Sequence, residues 1–159
     1  MTSQELVERE AREDRRRFLA VVRFAKRVGI RLVRARSRRA ALGAPRFHWS
    51  RKTLEENYGI VGPGVVTHNI RRKFWTHLLH EVGRCVCATM SEEVIAGWTV
   101  VAAVQIWGRR SVEVRRMLDY HARAGLTDMA AYIRRAKAHG LLSSAYTAWI
   151  RDSPPAPYY

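Results

Sequence analysis

The sequence predicts a mainly α-helical fold, with a long basic N-terminal helix, an irregular middle segment and a C-terminal antiparallel helical bundle or hairpin. Apolar residues recur at three- and four-residue steps through 3–42 and again beyond Asn69, which is the period of an α-helix. Between those stretches Pro45, Gly59, Gly62, Pro63 and Gly64 break the pattern. A length of 159 residues suits one domain, or a small domain with an extension. The chain divides accordingly into a basic amphipathic helix over 1–43, a basic and aromatic extended loop over 44–68, a helical core over 69–152 and a Pro-rich extended tail over 153–159.

Thr2 or Ser3 can cap the first helix, and Glu5, Glu8 and Glu10 suit the positive end of its dipole. Phe18, Val21, Val22, Ala25, Val28 and Leu32 form one apolar stripe, with most of the arginines elsewhere on the wheel. Gly29 is a weak point where the helix can bend, and Gly43 followed by Pro45 ends it. The next segment sets Phe47, Trp49 and Tyr58 among Arg46, Arg51 and Lys52, a composition that wraps a surface.

From Asn69, the residues Ile70, Phe74, Trp75, Leu78, Leu79 and Val82 build a second helix that ends at Gly83 or Met90. Ser91, Glu92 and Glu93 open a third. The run 94–107 is apolar on all sides, which favours a buried helix. A buried strand is the alternative, because Trp98-Thr99-Val100-Val101 has β-branched character. Ser111 starts a further helix with Val112, Val114, Met117, Leu118 and His121 inward. After the turn Ala124-Gly125-Leu126, Thr127 caps another, with Met129, Ala130, Tyr132, Ile133 and Ala136 as its apolar set. Gly140 ends it, and Ser143 or Ser144 can cap a short helix through Trp149 and Ile150.

One stretch has the form of a repeat unit. Arg123-Ala124-Gly125-Leu126-Thr127-Asp128-Met129-Ala130, then Lys137-Ala138-His139-Gly140, then Ser144-Ala145-Tyr146-Thr147, resembles a pentatricopeptide helical hairpin and the opening of the next. The interval between the two glycines is one residue short of that family's pattern. A solenoid needs about three stacked units to bury its core, and no second unit aligns upstream. The resemblance therefore implies an antiparallel hairpin and favours RNA as a partner, without transferring a base-reading code to any position.

Charge is the strongest functional signal. The net charge is +15, and between Arg15 and Lys52 the chain carries fourteen Lys and Arg with no Asp or Glu. The remainder is close to neutral, 15 basic residues against 14 acidic. Such a block repels itself and is tolerated when a polyanion lies against it. Arginine forks onto phosphate and stacks on bases, which suits folded RNA. The expected phosphate contacts are Arg15, Arg16, Arg17, Arg23, Lys26, Arg27, Arg31, Arg34, Arg36, Arg38, Arg39, Arg46, Arg51 and Lys52, with Trp49 able to stack on an unpaired base. Closely spaced cations such as Arg34, Arg36, Arg38 and Arg39 also penalise an isolated helix. Residues 3–42 are accordingly expected to become one continuous helix only on the partner.

Other chemistry has weaker signals. His77-x-x-His80 with Cys85-x-Cys87 has the residue types of a tetrahedral zinc site if Gly83 turns the chain back. The spacing is unlike a zinc knuckle and the surroundings are apolar, so no metal and no other cofactor is expected. The short acidic pairs Glu55-Glu56 and Glu92-Glu93 are dipole partners at helix starts, and no nucleophile motif accompanies the six histidines, so the chain is not expected to be an enzyme. Two cysteines exclude a disulfide framework and point to reduced thiols. The acid-rich start, without an apolar run before Phe18, is unlike a secretory signal. The run 94–107 is too short to span a membrane.

The expectation is a non-catalytic, RNA-binding structural component of a large ribonucleoprotein. Ribosomal RNA and an organellar, mitochondrial particle are favoured by analogy, with neighbouring protein subunits docked on the helical core. Two alternatives use the same charge: an accessory subunit of a membrane-bound complex, with the basic helix on anionic lipid and 94–107 packed on membrane subunits, and a viral nucleic-acid-binding protein.

Overall fold

The computed structural model describes residues 1–34, 59–62, 64–87 and 91–138. Its elements are mainly helical. They are α1 (Ser3–Arg27), β1 (Arg31–Arg34), β2 (Gly59–Gly62), β3 (Val65–His68), a 3-10 turn (Arg72–Phe74), α2 (Trp75–Cys87), α3 (Glu92–Trp107), α4 (Val112–Ala122) and α5 (Met129–Ala138). The chain forms two compact units, Met1–Glu81 and Val82–Tyr159.

In the first unit α1 starts where the sequence says it should. Thr2 accepts the Glu5 N–H while the Glu5 carboxylate takes the Thr2 N–H, so a capping box satisfies two orphan donors. The helix stops much earlier than the apolar period suggests. Gly29 adopts φ 82, Ile30 N–H reaches Ala25 O at 2.8 Å and Gly29 N–H reaches Lys26 O at 3.1 Å. These two bonds are the Schellman closure, which needs a left-handed residue just past the helix end. The single helix expected over 3–42 is therefore corrected: it ends at Arg27, and Leu32, the last member of the proposed stripe, lies in β1. Residues 35–58, which hold the rest of that helix and most of the aromatic loop, lie outside the described residues.

A small mixed sheet in the order β1-β3-β2 takes its first strand from the span expected as helix and the other two from the segment expected to be irregular. β1 runs parallel to β3, with Arg31 opposite Val65 and Arg34 opposite His68, and β2 runs antiparallel to it. Val66, Thr67 and His68 on the central strand are buried. The strands are four residues each and bordered by glycine, so they carry too few alternations to signal a strand by period. Phe18, Val21, Phe24 and Ala25 form the buried stripe of α1, which packs against β1 and the 3-10 turn. The Phe18 ring lies 6.1 Å from His68.

His68 is held neutral. Its Nδ1 accepts the Ile70 N–H at 3.0 Å, so the ring proton sits on Nε2. Burial, the Arg34 charge and His77 lower its pKa to about 4, against a smaller opposing pull from Glu81. Arg34 closes the same corner by donating from Nη1 to Ile70 O at 2.9 Å.

The second unit is built around α3. Ser91 accepts the Val94 N–H to start it, and Gly108 at φ 93 ends it. Every residue from Val94 to Val104 is buried, and α4 and α5 both pack on this helix. The helix-or-strand alternative is thus resolved as helix, and small residues explain the burial on all sides. A Cβ on Gly97 would lie 2.5 Å from the carbonyl carbon and oxygen of Tyr132, and one on Gly83 2.7 Å from the Thr99 methyl. Helix backbones approach this closely only where one side chain is missing. Gly83 lies inside α2, so it packs instead of turning the chain.

The expected core is largely observed: Ile70, Trp75, Leu79, Val101, Met117, Tyr132 and Ile133 are buried and Leu118 is half-buried, whereas Phe74 and Val112, expected on the apolar faces, are exposed. Ser111 caps α4 through the Val114 N–H at 3.2 Å. α5 is capped one residue later than expected, with Asp128 in place of Thr127 accepting the Ala131 N–H at 3.4 Å. Inside the core, Thr99 donates to Ala96 O at 2.8 Å and therefore accepts from His121 Nε2–H at 2.7 Å, which fixes the tautomer of that buried ring.

Gly97→Ala should destabilise the protein by about 2 kcal/mol or more, because its methyl meets rigid backbone and the overpacking exceeds the roughly 1 kcal/mol gain in helix propensity. Gly83→Ala, facing a side-chain methyl, should cost less. Urea unfolding of both variants checks the order. An unchanged midpoint for Gly97→Ala would refute the close approach.

His68 also makes stability depend on pH. Its folded pKa lies below the unfolded value of 6.5. The contribution is therefore complete above about pH 6.5 and lost as pH falls towards about 4, by roughly 3 kcal/mol in total. His68→Gln keeps an acceptor and cannot titrate, so its unfolding free energy should lose about that much less than wild type over the same range.

Candidate nucleic-acid interface

The cationic surface begins with the wheel of α1. At about 100° per residue, Arg12, Arg15, Arg16, Arg23, Lys26 and Arg27 fall within an arc of about 120°, and all six are exposed. Asp14, Arg17, Phe18, Val21, Phe24 and Ala25 are buried, on an arc of about the same width facing away. Burial of the apolar stripe therefore turns the cations outward together. Lys26 and Arg27 also stand in the last turn, where the helix dipole favours positive charge.

Arg17 departs from the expected set. It is 8% exposed and its guanidinium lies 2.8 Å from Asp14, 3.0 Å from Glu10 and 3.5 Å from Glu13. A guanidinium so enclosed cannot reach a phosphate without giving up its pairs with Asp14 and Glu10, whereas Glu13 also has Arg9 at 3.3 Å. It belongs to the fold of α1, and it holds Glu10, Glu13 and Asp14 off the cationic face, so that the acids left on that face, Glu5 and Glu8, precede Arg12.

The other expected contacts divide by position. Arg15, Arg16, Arg23, Lys26 and Arg27 share the outer face of α1. Arg31 and Arg34 sit exposed at the two ends of β1, with Arg34 also bonded to Ile70 O. Arg36, Arg38, Arg39, Arg46, Trp49, Arg51 and Lys52 lie outside the described residues. Two features escaped the sequence reading. Arg12 is surrounded in sequence by Glu10, Glu13 and Asp14, yet it is one turn below Arg16 on the same face; plotting the wheel would have found it. Arg71, Arg72 and Lys73 are exposed at the 3-10 turn that packs on α1, and their signal was simply three consecutive cations.

The whole of Met1–Glu81 holds nineteen Lys and Arg against eight Asp and Glu, whereas Val82–Tyr159 holds ten against six. In the second unit some of that charge is paired. Arg84 lies 3.0 Å from Glu92, and Arg135 pairs with Glu93. The acids at the start of α3 thus meet both the helix dipole and arginines of α2 and α5.

The residues of the candidate zinc site do not converge. His77, His80, Cys85 and Cys87 all lie on the continuous helix α2. Eight residues of helix separate His77 from Cys85 by about 12 Å, far beyond what one ion can bridge at bond lengths near 2 Å. His77 Nε2 instead lies 3.5 Å from Glu81, and burial pushes the Cys87 thiol up to about 12, against thiolate formation. Among the described residues no three His, Cys, Asp or Glu gather as metal ligands.

Comparison of the chain with protein-family models, curated proteins and solved structures returned no match.

Proposed function

We propose that this chain is a non-catalytic RNA-binding component of a large ribonucleoprotein, holding RNA phosphates through its N-terminal unit and contacting neighbouring proteins through its helical second unit. A ribosomal RNA in an organellar particle is the favoured setting. The observation that carries the reading is the outer face of α1, where six cations stand together from Arg12 to Arg27 while Glu10, Glu13 and Asp14 are held off that face by Arg17. Phosphate contacts of this kind position an RNA without reading its sequence.

The membrane-surface alternative has less support. A helix lying on lipid inserts its apolar face, and in α1 that stripe is already buried within the protein. The segment proposed to pack on membrane subunits is likewise buried from Val94 to Val104. Among the described residues no single helix is long and apolar enough to cross a membrane.

Binding to RNA should weaken steeply with salt. With five or more phosphates neutralised, the log-log slope against KCl should be steeper than about −3.5, even on single strands. Titrations at rising KCl with RNAs of unrelated sequence should give parallel lines of similar affinity. A slope near zero would remove the electrostatic basis of the proposal.

A further inference from the structure

Six of the eight cations of α1 form two copies of one pattern, the others being Arg9 and Arg17, both paired with acids of the same helix. Arg12, Arg15 and Arg16 are repeated by Arg23, Lys26 and Arg27, each eleven residues on. Eleven residues are just over three full turns, so the second triad lies about 16.5 Å along the axis from the first and only about 20° around it. Between the triads the same face carries no charge. It presents Leu19, 44% exposed, flanked by half-buried Ala20 and Val22.

This distribution suits one form of RNA better than another. A single strand lying along the helix offers phosphates every few ångströms, so a matching surface would spread its cations evenly. Two compact clusters with an uncharged gap suit two separate phosphate rows. An RNA duplex supplies such rows on either side of its minor groove, which is wide and shallow in the A form. An exposed leucine between the clusters would face the sugars and base edges of that shallow groove, where a cation is not required.

We infer that α1 straddles a groove of double-stranded RNA, with one triad on the phosphates of each strand and Leu19 over the groove between them. The inference rests on the RNA-binding reading and specifies the RNA as duplex.

The test compares an RNA duplex of about two helical turns with each of its separated strands by fluorescence anisotropy, using the full chain at one moderate salt concentration. The duplex should bind at least about tenfold more tightly than either strand, and the slope against salt should fall by about 2 to 3 when either triad is changed to glutamine. The variants are Arg12→Gln with Arg15→Gln and Arg16→Gln, and Arg23→Gln with Lys26→Gln and Arg27→Gln. Each should also abolish the duplex preference. A control with Arg115→Gln, Arg123→Gln and Arg134→Gln removes the same charge from exposed positions of the second unit and should retain the preference. If a triple variant loses its helical circular dichroism, Arg16→Gln and Arg23→Gln singly carry the comparison. Single strands binding as tightly as duplex, or a control that loses as much as the triads, would overturn groove bridging while leaving RNA binding intact. Absence of salt-dependent binding to either RNA would overturn both.

Discussion

Phe18, Val21, Phe24 and Ala25 leave water together only if α1 lies with one side down. Each large side chain buried in this way contributes about 1.5–3 kcal/mol, more than the repulsion between partly screened surface cations. The apolar stripe therefore sets the rotation of the helix, and the cations follow. Arg17 reinforces this outcome: it falls near the buried side and is compensated by Glu10, Glu13 and Asp14, which leaves the opposite arc to positive charge from Arg9 to Arg27. The same burial changes the expected role of the partner. Over Ser3–Arg27 an RNA has no need to create the helix, because the apolar neighbour that the stripe requires is supplied by β1 and the 3-10 turn.

The second unit solves a different problem, that of enclosing a helix with no polar face. Glycine and alanine make it tractable. Gly97 lets the backbone of α5 approach α3, and Gly83 lets α2 accommodate Thr99. Thr99 buries a hydroxyl in this core, and it is satisfied by Ala96 O and His121. The helix caps at Ser91, Ser111 and Asp128 keep backbone donors paired at three entrances. The charge of this unit, ten basic residues against six acidic, is more balanced than that of the first.

Legibility followed physical scale. Long periodic elements were plain in the sequence: the capped start of α1, the continuous burial of α3 and the two helices α4 and α5, each of which packs on α3. The end of α1 was not, because the apolar period runs past Gly29 into Leu32 and only the Schellman bonds show that the glycine terminates the helix. The strands were hidden by their brevity and by the glycines around them, although Ile60-Val61 and Val65-Val66-Thr67 have β-branched character. At the candidate interface the charge block was visible, but its division was not. Arg17 counts as a cation in any tally, and only its burial assigns it to the fold. Arg12 was masked by its acidic neighbours in sequence, which the helix carries around to another side. The zinc quartet failed for the converse reason: four suitable residue types on one straight helix cannot meet.

Hydrogen exchange along α1, in the free protein at low salt and with RNA bound, tests most directly the claim that the cationic face is preformed by the protein's own core. The amides from Phe18 to Ala25 should already be strongly protected in the free protein and should change little when RNA binds, while the binding isotherm saturates. Fast exchange of these amides in the free protein, with protection appearing only on RNA, would contradict the account and return the helix to its partner.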